Sequence, residues 1–173
     1  SLTVDGHGEL VAAGVDDLIE DFFELPGALL GSFGSRCRRV VGAAQPVLVV
    51  RTRTPLEGLP QALAEAYAAI GRYLALSGGR RAGAPFVAYH NMDMQDLEVE
   101  IGFPVTKRLK GTDTIRSGVI PAGTYAVCVH EGPYTELHQA YAALTEWMTG
   151  NGHQHAGPSY EMYLNDPSQT APD

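Results

Sequence analysis

Glu161 is the first residue in this sequence whose surroundings suggest chemistry. It stands between Tyr160 and Met162 in a short run that is otherwise apolar or aromatic. Burial disfavours the charged form of a carboxylate and a nearby cation favours it, so a carboxylate in such a run fits contact with a cation. Aromatic faces beside it add cation–π attraction. The plain alternative is a strand glutamate that faces solvent. Alternation along a strand puts Tyr163 on the same face as Glu161. Tyr67, Tyr141 and Trp147 fall in helical patterns elsewhere; Tyr67 and Tyr141 lie on apolar stripes, where core packing is the ordinary explanation. Trp147 is one helical step off its stripe, at the flank where a pocket wall would stand. Phe103 and Met94 are weaker candidates for the same wall. Glu98 and Glu100 alternate with apolar residues and read as a solvent face rather than an acid/base pair. His153 and His155, in a Gly-rich stretch, read as loop histidines without further metal ligands. His130, at a strand-to-helix turn, reads as structural, and Asp93 and Asp96 read as turn residues. No phosphate loop, dinucleotide fingerprint or nucleophile elbow is present, and no cofactor is expected.

These residues are positioned by an internal repeat. Ala66-Tyr67-Ala68-Ala69 recurs as Ala140-Tyr141-Ala142-Ala143, an offset of 74 residues. In the same register Leu63, Ile70, Tyr73 and Leu74 map onto Leu137, Leu144, Trp147 and Met148. Phe86, Tyr89 and Asn91 map onto Tyr160, Tyr163 and Asn165, and Glu161 maps onto Val87. One copy therefore carries a carboxylate where the other keeps a core residue. A period of this length is too long for a solenoid and indicates two copies of one supersecondary unit.

Each copy has the same plan. In the first, Pro46–Val50 is an apolar strand. Thr54-Pro55-Leu56-Glu57 has the pattern of a capping box. Leu59, Leu63, Tyr67, Ile70 and Leu74 form an amphipathic helix stopped at Ser77-Gly78-Gly79. Phe86–His90 is a second strand, and the alternation of Leu97, Val99, Ile101, Phe103 and Val105 with Glu98, Glu100, Gly102 and Pro104 is a third. In the second copy, Thr124–His130 is a strand, Gly132-Pro133 opens a helix that ends at Gly150-Asn151-Gly152, and Tyr160–Leu164 is the next strand. The counterpart of the 97–105 strand would start near residue 171 of 173. A sixth strand is thus expected to be missing, leaving an unpaired edge unless another segment fills the slot. Residues 1–44 read as a leader, poorly ordered or forming a short helix over Asp17–Leu25. The sharper possibility is that this leader replaces the strand, in cis or from another chain. The domain proper is expected over 45–173, with repeat one at 45–105 and repeat two at 118–173.

Composition narrows the function. A formal charge of −8 argues against a sequence-independent nucleic-acid binder, which needs clustered Lys and Arg. The Arg36–Arg39 run reads as a solvated loop. Cys37 and Cys128 supply neither a disulfide framework nor zinc spacing, and Cys128 reads as a small buried hydrophobe. With no apolar stretch of membrane-spanning length and no visible signal peptide, a cytoplasmic, reducing setting is expected, with no membrane partner.

The segments Val99-Glu100-Ile101-Gly102-Phe103-Pro104-Val105, Ile120-Pro121-Ala122-Gly123-Thr124-Tyr125, His130-Glu131-Gly132-Pro133-Tyr134 and Tyr160-Glu161-Met162-Tyr163-Leu164-Asn165-Asp166-Pro167 resemble GyrI-like domains, the effector-binding domains of AraC-type and BmrR-type regulators. The resemblance spans roughly residues 45 to 167. It implies an α+β fold made of a duplicated β-α-β-β unit of the SHS2 kind, an antiparallel sheet with two helices on one face. It also implies an amphipathic, often cationic, small-molecule ligand in a cleft between helices and sheet. Glu161 matches the family's anionic contact, with Tyr163, Tyr89, Trp147, Tyr67, Tyr141 and Phe103 as aromatic walls. Two other activities in the family remain open: hydrolysis of cyclopropanoid DNA-alkylating compounds, with Glu161 as base and Tyr163 as hydroxyl donor, and inhibition of DNA gyrase by protein contact. No regulator helix-turn-helix is evident before residue 46, so nucleic-acid binding is not expected.

Overall fold

In the computed structural model, residues 9–17, 35–130 and 137–163 are described. Two helices pack on an antiparallel sheet of eight strands. In chain order these are β1 (Glu9–Asp17), β2 (Ser35–Gly42), β3 (Gln45–Thr54), α1 (Leu59–Ser77), β4 (Phe86–Tyr89), β5 (Leu97–Pro104), β6 (Arg116–Ile120), β7 (Gly123–His130), α2 (Leu137–Gly150) and β8 (His153–Tyr163). The strand order is β2-β7-β1-β8-β4-β5-β3-β6.

The apolar alternations form the expected strands, in several cases extended. β3 runs through Thr54, and β8 begins at His153, so His153 and His155 belong to a strand rather than a loop. The Thr54–Glu57 pattern does not cap a helix. Leu56–Gly58 is a separate 3-10 turn, α1 starts at Leu59, and the Thr54 hydroxyl donates to the Pro55 carbonyl. α1 ends as expected, with Gly78 at φ 70° in the left-handed region that a residue without a Cβ reaches freely. The Gly132-Pro133 opening of the second helix and most of Asp17–Leu25 lie outside the described residues.

The leader is where the chain departs from expectation. Residues 9–17 and 35–42 are strands of the sheet. β1 lies between β7 and β8, pairing Val11 with Cys128 on one side and with Glu161 on the other. β8 is therefore paired on both sides, and the expected open edge beside it does not exist. The Arg36–Arg39 run is part of β2, an outermost strand, where the exposed Arg38 and Arg39 discourage further strand pairing.

Cys37 faces Cys128 across the β2–β7 ladder, and the two form a disulfide. This corrects the reading that the pair supports no crosslink, and with it goes the cysteine argument for a reducing compartment. Cys128 is fully buried, as expected.

The sheet is strongly curled. Ala43-Ala44 joins β2, at one edge, to β3, second from the other edge; Pro121-Ala122 joins β6 to β7 in the same way. Two-residue links cannot span a flat eight-stranded sheet whose strands are ~4.8 Å apart. The inner face holds Val47, Val49, Phe86, Ala88, Val127 and Tyr160, and both edge strands contribute to it through Val40 and Ile120. On the outer face α1 packs on β3 and β5, and α2 packs on β7, β2 and β8. At Gly102 in β5 a Cβ would overlap the Leu48 carbonyl oxygen of β3. Gly102→Ala must push β5 and β3 apart. We expect a loss of roughly 2–3 kcal/mol, read as a lower urea midpoint at unchanged m-value; an unchanged midpoint would contradict this packing.

Candidate functional site

Glu161 sits on the outer face of β8, directly opposite Val87 on β4, and is 5% exposed. Three tyrosine hydroxyls converge on it. Tyr163 donates to Oε2 at 2.8 Å and Tyr89 donates to the same oxygen at 3.1 Å. Tyr141, from α2, donates to Oε1. Tyr89 and Tyr163 reach the carboxylate because both strands alternate in phase, so residues 87 and 89 and residues 161 and 163 share a face. Tyr141 reaches it because α2 lies across β7 and β8. A buried carboxylate is tolerated only when its acceptors are used, and these three hydroxyls use both oxygens.

The surrounding wall is apolar. Tyr67, Tyr89 and Tyr163 pack with Leu59, Ala66, Val87, Leu97, Val99 and Ile101. Phe103 forms a second layer: its ring is tilted 55° against Tyr67 at 5.1 Å, and the Arg81 guanidinium lies 4.0 Å over its centroid. Trp147 stands apart. It stacks on His153 at 5.5 Å and packs with the α2–β7 cluster of Ala126, Cys128, Ala140 and Leu144. Met94 is exposed in the loop after β4. His130 pairs with Glu9 and Ser35 through its backbone. Glu98 and Glu100 lie in a half-exposed ladder with Arg51, Arg53 and His90, and Asp96 chelates Arg53. Side-chain contact with Arg51 holds Glu98 below its usual carboxylate range, and Arg53 does the same for Asp96.

A groove of about 210 Å³ runs along α1, lined by Val50, Thr52, Ala62, Glu65, Ala66, Ala69 and Thr114. It does not reach Glu161, although Val50 and Ala66 also belong to the apolar cluster behind it. Ligand pockets for drug-sized molecules span roughly 300–1,000 Å³. The convergent polar groups, rather than this shallow groove, are the candidate site.

Burial pushes the Tyr163 hydroxyl well above its ordinary range, and the adjacent Glu161 charge adds to the effect. Burial first, then Tyr125 and Glu100, pushes Tyr160 up to about 12. Both shifts favour the neutral phenol in the folded state. The stability they represent is complete below the unfolded tyrosine value of about 10 and is lost as pH rises above it. For Tyr160 the window is about 10 to 12, an effect on the order of 2 kcal/mol. Urea unfolding at stepped pH should show constant stability to about pH 10 and a steep fall beyond, with Tyr160 and Tyr163 ionising only on unfolding. Ionisation of these two phenols in the folded protein, read from their own ring resonances, would refute the buried cluster.

A buried carboxylate, tyrosine donors and apolar walls on a helix-backed sheet are the build of a small-molecule-binding domain. The chain belongs to the GyrI-like small molecule binding domain family, whose profile matches residues 41–173. A protein named DNA gyrase inhibitor from Erwinia billingiae (strain Eb661) is 40% identical over 79 residues, 43% of this chain. The chain spans about half the length of that relative (50%). The crystal structure of the EcmrR C-terminal domain superposes with a TM-score of 0.61 at 19% identity, covering 78% of this chain and 98% of that one. EcmrR in its DNA complex gives 0.59 at 22% identity, covering 74% and 56%. At these identities the two structures support the fold. Among the described residues, no helix is long and apolar enough to cross a membrane.

Proposed function

We propose that this domain binds an amphipathic, cationic small molecule in the cleft between α1, α2 and the sheet. Glu161 is the anionic contact, and Tyr67, Tyr89, Tyr141 and Tyr163 are the aromatic walls. The observation that carries this reading is the convergence of three tyrosine hydroxyls on one buried carboxylate. Those hydroxyls hold a negative charge in an apolar wall while no ligand is present, and a cation can replace them.

The same reading includes a duplicated architecture. β5 lies between β3 and β4, and β1 lies between β7 and β8. In the two halves Phe86 corresponds to Tyr160, Val87 to Glu161 and Tyr89 to Tyr163. The pairings Phe86–Met162 and Ala88–Tyr160 then exchange with each other, and Val87–Glu161 maps onto itself. The pseudo-two-fold axis passes through that pair. β1 takes the position of the second unit's final strand, and Glu161 occupies the one point where both halves can offer it a tyrosine.

The test is a charge series in the wild-type protein: a cationic rhodamine-type dye against neutral and anionic analogues of similar size. The cation should bind at least tenfold more tightly, and equal affinity across the series would refute an anionic contact. A second reading, hydrolysis, rests on a carboxylate and phenols meeting at one place, where the carboxylate can activate water and a phenol can polarise a carbonyl. Mass spectrometry after long incubation with a cyclopropanoid substrate decides it: ring-opened product supports turnover, and unchanged compound leaves binding alone.

A further inference from the structure

Acidic and basic residues are segregated in this chain. Residues 66–92 and 101–112 hold none of its twenty Asp and Glu but six of its twelve Lys and Arg: Arg72, Arg80, Arg81, Lys107, Arg108 and Lys110. The fold ties the two stretches together near the end of α1. The Ala82 N–H donates to the Pro104 carbonyl, the Thr106 N–H donates to the Arg80 carbonyl, and Arg81 forms a β-bridge with Val105. Arg81 also has a fixed place for its side chain. The guanidinium lies 4.0 Å over the centroid of Phe103. It borders α1 at Gly71, where a Cβ would meet Nη2 at 3.6 Å. Among the described residues this guanidinium has no ion-pair partner, whereas Arg51 and Arg53 are engaged with carboxylates.

That place is on the Glu161 side of α1. Gly71 is one turn beyond Tyr67 on the same helix face. Tyr67 lies against Phe103 at 5.1 Å and packs with Tyr89 and Tyr163, two of the phenols that hold Glu161. Glu161, Val87 and Ile101 stand side by side on β8, β4 and β5, and Phe103 is two residues further along β5 on the same face. At ~4.8 Å between strands and ~3.4 Å per residue, Glu161 and Phe103 are about 12 Å apart at the backbone. The aromatic wall thus runs from a buried carboxylate at one end to a guanidinium at the other. Both ends depart from the 74-residue register. The first half has Val87 in place of Glu161, and the second has His155, hydrogen-bonded to Ser159, in place of Arg81.

Covering Phe103 does not by itself require a charge, since an aliphatic side chain of the same length would shield the ring. What Arg81 adds is a guanidinium held by its face, with its N–H edge left for another group. A stacked guanidinium is pre-organised to take a carboxylate through two parallel hydrogen bonds. We propose that Arg81 is the second charged contact of the ligand site and selects a zwitterion. The cationic end of such a molecule meets Glu161, its carboxylate meets Arg81, and a flat apolar body lies along Tyr67 between them. The assignment rests on Glu161 being the anionic contact of the site, and it adds the ligand's second charge. Arg80, Lys107 and Arg108, exposed in the same acid-free stretches, make that end of the wall electropositive. Their field orients the ligand with its carboxylate toward Arg81 and its cation toward Glu161.

Two dyes that differ in one group test this: a rhodamine with a free carboxylate and its ethyl ester, each titrated by fluorescence into the wild-type protein. The acid should bind at least tenfold more tightly than the ester at low ionic strength (about 20 mM) and lose most of that advantage at about 500 mM, where exposed charges are screened. Arg81→Gln should bind both compounds as the wild type binds the ester. Arg81→Lys keeps the charge but not the planar fork and should recover only part of the preference. Equal affinity of the wild type for acid and ester overturns the proposal, and this comparison needs no variant to fold. An undiminished preference for the acid in Arg81→Gln overturns it as well. Ester binding that is lost in Glu161→Gln, with no gain from the carboxylate in the wild type, leaves the anionic contact standing and removes this inference alone. Binding of neither compound to the wild type removes both.

Discussion

Reducing the Cys37–Cys128 disulfide is expected to lower the unfolding free energy by about 4 kcal/mol. The crosslink joins residues 91 apart, and closing a loop of that order in the unfolded chain is worth ~4–5 kcal/mol on a chain-entropy account. The position of the bond makes the effect structural as well. Cys37 lies on the outermost strand β2, and α2 rests on both β2 and β7, with Ala140, Leu144 and Met148 packed against the cysteine pair. Loosening β2 therefore removes part of the footing of the helix that carries Tyr141. Urea unfolding of oxidised and dithiol-reduced wild-type protein checks this without altering a side chain. A midpoint shift of roughly 2 M is expected for an m-value near 2 kcal/mol/M. Coincident transitions would mean that the crosslink constrains nothing the fold does not already hold.

Glu161→Ala should cost roughly 3–5 kcal/mol in stability even though it removes a buried charge. The substitution removes the acceptor that the hydroxyls of Tyr89, Tyr141 and Tyr163 share, and a buried hydrogen bond to a charged group is worth ~1.5–3 kcal/mol. Glu161→Gln keeps the shape and one carbonyl acceptor but turns the other oxygen into a donor facing a phenol, so a smaller loss of about 1–2 kcal/mol is expected. The pair of variants separates burial from hydrogen bonding. If alanine cost no more than glutamine, the carboxylate would not organise the site.

How far the sequence reveals this arrangement depends on whether a residue's partners are local. The apolar alternation of 97–105 and the stripe through Leu59, Ile70 and Leu74 are periodic, and they form β5 and α1. Glu161 was legible as an anomaly, a carboxylate in a strand whose repeat mate is Val87. Tyr163 followed by alternation, and Tyr89 as its repeat mate. Tyr141 was harder, because position on an apolar stripe does not distinguish core packing from a hydroxyl aimed at a carboxylate. Trp147, one step off the stripe, stacks on His153 and packs with the α2–β7 cluster rather than with Tyr89 and Tyr163, a contact the stripe alone does not reveal. β1 and β2 escaped notice because their support is non-local. Glu9–Asp17 is broken by Gly14 and ends in two aspartates, and it becomes a strand by filling the gap between β7 and β8. Ser35–Gly42 carries the charges of a sheet edge, which in sequence look like a loop. The disulfide depends on that same long-range pairing, so spacing alone could not show it.

The most direct measurement is a fluorescence titration of a cationic rhodamine-type dye into the wild-type protein and Glu161→Gln. Saturable binding to the wild type and at least a tenfold loss in the variant, ~1.4 kcal/mol, is the predicted result, with a neutral analogue of the dye unaffected by the substitution. Equal affinity for the two proteins, or no binding to either, would contradict the assignment of Glu161 as the anionic contact of this domain.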